Sequence, residues 1–188
     1  MKIILASASP RRSELLKQIG LEFTQETSSF CECVENNGCF SDLVIANAKG
    51  KAIKVKADEN EFVVAADTIV VLDKTVLGKP QNAAQAKEML ALLSGKTHEV
   101  YTGVCVRHSG KLWFGFERTK VTMRDLPAQE IDDYVATKEP LDKAGAYGIQ
   151  GKGALLVKKI DGCYFNVVGL PLVCLRGLLE KAGFIFEY

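Results

Sequence analysis

The sequence predicts an α/β protein, because short apolar runs typical of strands alternate with helical patterns along the chain. Residues 2–6 form an apolar run that fits a short buried strand. A helix is predicted to follow from Pro10, with Ser9 as its N-cap and Gly20 at its end. Residues 62–66 form a continuous apolar run, which is typical of a strand covered on both faces. Strands and helices therefore alternate rather than occupying separate halves of the chain.

The later elements follow from the same reasoning. Residues 28–40 show no period and are predicted to be a loop. A second helix is predicted from Ser41 or Asp42, and the apolar face expected for it is the set Leu43, Ala46, Gly50, Ile53 and Ala57. Further predicted strands are 69–72, 75–77, 100–107, 111–116 and 118–123, with helices opening at Asn82, Pro127 and Pro171. Residues 154–160 and 163–168 are predicted to form a hairpin across a turn at 161–162.

Length and composition limit the class of protein. With 188 residues, 47% of them hydrophobic and 25% charged, the chain is expected to form one domain over residues 1–188. A net charge of +1 argues against a nucleic-acid partner and against an anionic membrane surface. No apolar run approaches the roughly 20 residues that cross a bilayer. We therefore expect a cytoplasmic protein whose six cysteines are reduced thiols.

The first candidate site lies at the start of the first predicted helix, where Ser7 precedes Arg11 and Arg12. A helix N-terminus carries free N–H groups and a positive dipole end, so arginines there are unfavourable without an anion. A bound phosphate chain would supply that anion. The alternative is a pair of solvated arginines on an exposed turn. The strand–loop–helix context favours phosphate, because ligands of α/β folds gather at the carboxyl ends of strands.

The second candidate is Asp67, which interrupts the apolar residues 63–71. A carboxylate in such a stretch is costly unless it is paired or binds a metal ion. Glu32 is an acid that could join it only if folding brings the two together. Carboxylates, waters and phosphate oxygens are the ligands that Mg²⁺ and Mn²⁺ prefer. The alternative is an aspartate at a bend that caps backbone N–H groups.

The third candidate is the glycine-rich segment 138–151. Its glycines would let the backbone approach a ligand closely, Tyr147 could stack on a base, and Gln150 could bond to the base edge. The alternative is a glycine-rich surface loop with a packed tyrosine. Lys79, which precedes Pro80, is either a ligand contact or a solvated lysine.

Five segments in this order resemble the Maf family of nucleotide pyrophosphatases: residues 5–12, 66–68, 78–80, 94–98 and 139–151. Each motif is modest alone, but the ordered combination is specific, and the resemblance runs from Ile3 to about Leu175. It implies a fold similar to that of the inosine-triphosphate pyrophosphatases. That fold is an elongated, mixed central β-sheet flanked by helices, with two lobes around a cleft.

The resemblance also implies roles for individual residues. Asp67 matches the proton acceptor of the family, and Asp67 and Glu32 match its ligands for a divalent cation, Mg²⁺ or Mn²⁺. The positions that match substrate-binding residues are Ser7, Arg11, Arg12, Lys51, Thr68, Lys79 and Gln150. Among them, Arg12, Thr68 and Gln150 match positions that separate substrate subclasses.

The segment with Lys143, Tyr147 and Gln150 is similar to the subclass that acts on dTTP and UTP. The expected reaction is hydrolysis of these nucleotides, and of modified pyrimidine triphosphates, to the monophosphate and pyrophosphate. Two alternatives stay open, a 7-methyl-GTP pyrophosphatase and a non-catalytic regulator of cell division. The expected partner is the nucleotide substrate, without a membrane or nucleic acid, and a homodimer is compatible with the resemblance.

Overall fold

The α/β prediction is confirmed in a computed structural model, which describes residues 1–33 and 38–187. Residues 34–37 of the predicted loop, and residue 188, lie outside the described residues. The strands are β1 Lys2–Leu5, β2 Phe23–Gln25, β3 Glu61–Leu72, β4 Thr75–Leu77, β5 Thr97–His108, β6 Lys111–Met123 and β7 Val157–Asp161. The helices are α1 Pro10–Gln18, α2 Phe40–Lys54, α3 Ala83–Leu93, α4 Ala128–Ala136, α5 Tyr164–Val168 and α6 Leu172–Lys181.

The strands form one mixed sheet in the order β2-β1-β3-β5-β6-β7, with β4 paired to β3. Strand β1 runs parallel to both β2 and β3. Strands β4 and β7 run antiparallel to β3 and β6, respectively. The expected mixed sheet with flanking helices is therefore confirmed. None of the helices in the described part of the chain combines the length and apolar character that crossing a bilayer requires.

The chain contains two compact units. Unit 1 comprises residues 1–67, 102–117 and 169–188, and unit 2 comprises residues 68–101 and 118–168. A core cluster of unit 1 includes Ile4, Ala48, Ala52, Val63 and Cys105. A core cluster of unit 2 includes Leu90, Leu93, Val100, Val121, Met123 and Tyr134. All six cysteines lie within the described residues and are free thiols, as expected. The assignment of residues 1–188 to one domain stays a prediction.

The apolar face predicted for helix α2 is wrong in part. Ala46 and Ile53 are exposed, whereas the buried residues are Leu43, Val44, Asn47, Ala48 and Ala52. The helix is rotated so that two polar side chains, Asn47 and Lys51, contact the buried carboxylate of Asp67. The cost of leaving that carboxylate without partners outweighs the gain from burying two more apolar side chains.

The predicted hairpin of residues 154–168 is also wrong. Strand β7 is present, but residues 164–168 form helix α5. The side chain of Asn166 is buried and donates to the carbonyl of Val100 at 3.0 Å and to Oγ1 of Thr119 at 2.9 Å. These contacts to distant strands hold a helical turn that the local apolar pattern does not indicate. Similarly, the separately predicted strands 111–116 and 118–123 are one continuous strand, β6.

A buried histidine lies in unit 2. His98 is 1% exposed, and its Nε2 lies 2.6 Å from the hydroxyl of Tyr147. Its Nδ1 has no hydrogen-bond partner within the part of the chain that the structure describes. Burial lowers the pKa of His98 from 6.5 to about 4, because the interior disfavours the charged imidazolium. The imidazole is therefore neutral in the folded protein at neutral pH.

This histidine predicts a pH dependence of stability. Between pH 6.5 and about 4, His98 binds a proton in the unfolded chain but not in the folded chain. The free energy of unfolding should therefore fall as the pH is lowered through this window, by up to about 3 kcal/mol from this group. Urea titrations at several pH values should show a flatter dependence for His98→Gln than for the wild type. If the free energy of unfolding changed with pH equally in the two proteins, the lowered pKa of His98 would be contradicted.

Candidate active site

Arg12 is a buried residue in the first turn of α1. Its Nε donates to the carbonyl of Gly169 at 2.8 Å. Its Nη1 donates to the carbonyl of Ala66 at 2.8 Å and to Oγ of Ser7 at 3.1 Å. The guanidinium thus connects the turn after β1, strand β3 and the residues before α6. Arg12 therefore has a structural role, and its binding of substrate stays a prediction.

Three of the predicted site residues, Asp67, Glu32 and Arg11, carry charges that act on the guanidinium of Arg12. Burial lowers the pKa of the Arg12 guanidinium, and the negative charges of Asp67 and Glu32 act in the opposite direction. The neighbouring Arg11, which is half-buried, adds to the lowering. Helix α1, which is described in full, has no acidic residue in its first turn. The start of α1 is therefore a region of concentrated positive charge beside two carboxylates.

Asp67 lies inside the continuous strand β3 and is 4% exposed. Its Oδ1 accepts a hydrogen bond from Nζ of Lys51 at 2.6 Å. Its Oδ2 accepts from Nδ2 of Asn47 at 2.9 Å. The alternative of an aspartate at a bend is wrong, because β3 runs through this position without interruption. The carboxylate is instead held between two side chains of helix α2.

Glu32 also contacts the ammonium group of Lys51, with Oε1 lying 2.6 Å from Nζ. The side chain of Lys51 is 11% exposed and that of Glu32 is 51% exposed. One ammonium group therefore joins an acid from the loop before α2 to an acid in the middle of β3. Folding brings Glu32 and Asp67 together, as the sequence prediction required.

The sequence analysis missed Asn47, which anchors the loop that carries Glu32. Its Oδ1 accepts from the N–H of Cys33 at 2.9 Å, and its Nδ2 donates to the carbonyl of Cys33 at 3.0 Å. A second anchor lies one helical turn away, where a Cβ at Gly50 would fall 2.2 Å from the ring of Phe30. The sequence feature that could have indicated Asn47 is its spacing from Lys51, because two polar residues four positions apart lie on the same face of a helix.

Three predicted site residues belong to unit 2. Thr68 follows Asp67 in β3 and is half-buried. Lys79 is exposed, and the carbonyl of the preceding Gly78 accepts from the N–H of Gly145 at 3.0 Å. Gln150 is half-buried in the glycine-rich segment. The backbone around Lys79 is therefore tied to the segment that carries Gln150.

Tyr147 does not offer a free face to a base. It is 5% exposed in the core of unit 2, and burial raises the pKa of its phenol. Its ring packs against His98 edge to face, with the ring centroids 5.2 Å apart. The base-stacking prediction for Tyr147 is wrong, and the packed tyrosine that was the alternative is correct.

The loop that carries Gln150 is held by the carboxylate of Glu139. This carboxylate accepts from the hydroxyl of Tyr134 at 3.0 Å and from the N–H groups of Lys152 and Gly153 at 3.2 Å each. A charged acceptor that bonds several donors fixes a loop more firmly than a neutral one. Glu139 therefore holds the backbone that follows Gln150, and Tyr134, which it contacts, accepts from the N–H of Gly148 before Gln150 at 3.3 Å.

The donor set of unit 1 fits a divalent cation that has additional ligands. Glu32 and Asp67 direct carboxylate oxygens at one positive group, the Lys51 ammonium. Hard oxygen donors of this kind suit Mg²⁺ or Mn²⁺, with waters and phosphate oxygens completing the coordination. No cluster of three or more His, Cys, Asp or Glu ligands occurs among residues 1–33 and 38–187. Two carboxylates would supply only part of a coordination shell, and waters and substrate phosphate oxygens would supply the remainder.

The fold and this cluster define a mixed α/β protein in which cationic side chains and paired carboxylates surround the end of β1 and the middle of β3. Comparison with known families identifies the class more closely. Residues 2–182 match the family model described as Maf-like protein, and the chain belongs to that family. The resemblance inferred from the motifs is confirmed.

The proteins and solved structures that are similar to this chain include the following three. A protein of Bacillus cytotoxicus named dTTP/UTP pyrophosphatase is 53% identical over 96% of this chain and 95% of its own length. A protein of Bacillus thuringiensis subsp. konkukian with the same name is 53% identical over 91% of this chain and 90% of its own. The Ham1 protein of Staphylococcus aureus is 15% identical, with a TM-score of 0.47 over 81% of this chain and 78% of that one.

The contacts of Arg12 predict a stability effect in addition to any effect on ligand binding. Arg12→Lys keeps the charge but cannot reach the carbonyls of Gly169 and Ala66 in the same way. We expect the free energy of unfolding to fall by about 1–3 kcal/mol, because buried carbonyls lose their donors. Arg118→Lys makes the same change at an exposed position, where the ion pair with Glu99 is screened by solvent, and should change it by less than about 0.5 kcal/mol. Equal urea midpoints for the two variants would show that the Arg12 network adds nothing to the fold.

Proposed function

We propose that this chain is a nucleoside triphosphate pyrophosphatase that hydrolyses dTTP and UTP to the monophosphate and pyrophosphate. The observation that supports this most directly is the carboxylate of Asp67, buried in a strand and held by Lys51 beside the buried guanidinium of Arg12. The relatives named dTTP/UTP pyrophosphatase, at 53% identity over nearly the full chain, support the choice of nucleotide. Modified pyrimidine triphosphates are further proposed substrates.

The positive side chains of unit 1 bind and orient the triphosphate. Arg11, Arg12 and Lys51 offset its negative charge, and Oγ of Ser7 is a hydrogen-bonding group at the same turn. Such fixed charges stabilise the charge that develops on the phosphate oxygens during the reaction. Thr68, Lys79 and Gln150 are proposed to bind substrate as well, on the basis of the family motifs.

Asp67 accepts the proton in the proposed reaction. Oδ1 and Oδ2 of its carboxylate are positioned by Lys51 and Asn47, which fixes the orientation of the acceptor. A water molecule gives its proton to this carboxylate as its oxygen bonds to the α-phosphorus. The bond from the α-phosphorus to the bridging oxygen breaks, and pyrophosphate leaves with that oxygen. Glu32 and Asp67 would hold the divalent ion, which when bound offsets phosphate charge and lowers the pKa of a bound water.

The proposal also covers the location, the partners and the assembly of the protein. We propose a cytoplasmic location, no membrane or nucleic-acid partner, and a homodimer as the assembly to test. The near-neutral net charge of +1 supports the absence of a nucleic-acid partner. Light scattering on the purified chain measures the assembly state directly.

A nucleotide panel tests the proposed activity. The protein is mixed with Mg²⁺ and equal concentrations of dTTP, UTP, 7-methyl-GTP and the other common triphosphates, and pyrophosphate release is measured with a coupled inorganic pyrophosphatase. We expect dTTP and UTP to react fastest. In the same assay Asp67→Asn should lower kcat by at least about 100-fold, since the proton acceptor is lost, while its circular dichroism spectrum is unchanged.

The control for this variant is Asp42→Asn, the same change at an exposed position of α2, which should react like the wild type. Fastest turnover of 7-methyl-GTP would favour the other subclass, and no turnover of any nucleotide would favour a non-catalytic regulator. Near-normal pyrophosphate release by Asp67→Asn would reject its assignment as proton acceptor.

The shared ammonium group of Lys51 predicts an effect on metal binding. Without nucleotide, this ammonium pairs with both Glu32 and Asp67 and therefore competes with any divalent cation. Lys51→Met should raise the Mn²⁺ affinity of the nucleotide-free protein by roughly tenfold, because carboxylate charge is no longer compensated. The same variant should have a lower kcat/KM, since a phosphate-binding charge is lost.

Electron paramagnetic resonance of free Mn²⁺ measures this affinity. Lys49→Met removes the same charge from the same helix, at a position where the ammonium lies 4.3 Å from the ring centre of Phe114. It should leave the Mn²⁺ affinity unchanged. An equal increase in both variants would mean that overall charge, rather than competition at the two carboxylates, controls metal binding.

A further inference from the structure

We propose that Asn47 is a positioning residue that holds the carboxylates of Glu32 and Asp67 in the arrangement that a divalent cation requires. This inference rests on the proposed function, because it assigns Asn47 to the same metal-dependent site. Asn47 is 1% exposed on a helix face that otherwise buries apolar side chains, such as Val44 and Ala48. A buried amide is unfavourable in such a place unless its polar atoms are bonded.

The hydrogen bonds of Asn47 are directed at the two acid-bearing segments. Its Nδ2 donates both to Oδ2 of Asp67 at 2.9 Å and to the carbonyl of Cys33 at 3.0 Å. Its Oδ1 accepts from the N–H of Cys33 at 2.9 Å. The orientation of the amide is fixed by chemistry, because a carboxylate can only accept and must therefore face the nitrogen. One planar group thus connects the loop backbone to the carboxylate of β3.

The position of Glu32 depends on this connection. Its side chain is 51% exposed, so its ion pair with Lys51 is screened by solvent and adds little to order. The adjacent Cys33 is instead held through both of its backbone polar groups. Phe30, two residues before Glu32, packs on Gly50. Glu32 is therefore held by its neighbours on both sides. The side chain that binds Cys33 is Asn47, which also contacts Asp67.

The bonds of Asn47 stabilise the fold, and they also position the two acid-bearing segments. An apolar side chain of similar size would pack at this position without an amide to satisfy, but it would leave Cys33 and Asp67 without these donors and acceptors. Groups that hydrogen-bond to metal-binding carboxylates, without contacting the metal themselves, typically contribute 10–100-fold to metal affinity. The proposal therefore predicts a specific effect on metal binding rather than only on stability.

Asn47→Leu tests this prediction. The variant removes the hydrogen bonds while keeping the approximate volume, and we expect its Mn²⁺ affinity to fall by about 10–100-fold in electron paramagnetic resonance titrations without nucleotide. The matched control is Val44→Ala, one turn earlier on α2 and fully buried, which loses packing but has no such bonds. It should be less stable and bind Mn²⁺ like the wild type. Equal affinity in Asn47→Leu and the wild type would overturn the proposal.

Amide hydrogen exchange provides a second measurement that does not depend on this variant folding. In the wild type, the N–H of Cys33 should exchange slowly, and saturating Mg²⁺ should slow it further because the ion joins the two acidic segments. In Asn47→Ala, where water can enter, exchange at Cys33 should be faster. Rapid exchange in the wild type that Mg²⁺ does not change would overturn the proposal even if neither variant folds.

Nucleotide turnover separates a failure of this inference from a failure of the proposed function. The Mn²⁺ titration and the exchange measurement use no nucleotide, so they can be interpreted whether or not dTTP or UTP is hydrolysed. If the wild type turns over, Asn47→Leu should lose more in kcat than in KM, and high Mg²⁺ should restore part of the loss. A variant that turns over normally would contradict the role of Asn47 and leave the proposed activity intact.

Discussion

The carboxylate of Asp67 is the constraint on which the architecture of unit 1 depends. A charge in the middle of an apolar strand must be compensated, and here Lys51 and Asn47 provide the compensation from helix α2. Meeting that requirement turns two polar side chains of α2 inward and leaves Ile53 exposed. The same two side chains then contact the loop with Glu32. A single buried acid therefore decides both the rotation of a helix and the placement of a loop.

The start of α1 shows how a candidate binding residue can also be part of the fold. Arg12 bonds to backbone carbonyls at Ala66 and Gly169 and to the hydroxyl of Ser7. These contacts restrict the guanidinium before any ligand arrives, so little conformational entropy remains to be lost on binding. The neighbouring Arg11 is half-buried, whereas Arg12 is buried. The paired arginines thus differ in physical character although they are identical in the sequence.

Unit 2 contains a comparable division between residues that build a loop and residues that can meet a ligand. Tyr134 bonds to the N–H of Gly148 in the glycine-rich segment, and Glu139 bonds to the N–H groups of Lys152 and Gly153 directly after it. Tyr147 pairs with His98 in the core. Gln150 is half-buried within the segment that they shape. Tyr147 of this motif therefore contributes to the fold, and substrate binding by Gln150 stays a prediction. For this reason a motif match identifies a family more securely than it assigns a role to each residue.

The sequence by itself determined the alternation of strands and helices, because periodicity and capping are local properties, as at Pro10 and Asn82. It also identified Asp67 and Arg12 as residues whose charges need partners, since a charge in an apolar run or at the wrong end of a helix is unfavourable wherever it occurs. Which residues become the partners was decided only by the tertiary structure. Asn47 and Cys33 are 14 positions apart and Asn47 and Asp67 are 20 apart, and no local pattern relates them. Hydrogen bonds between distant segments depend on which segments the tertiary fold brings together. The same reason explains α5, which is a helix although its own residues predicted a strand.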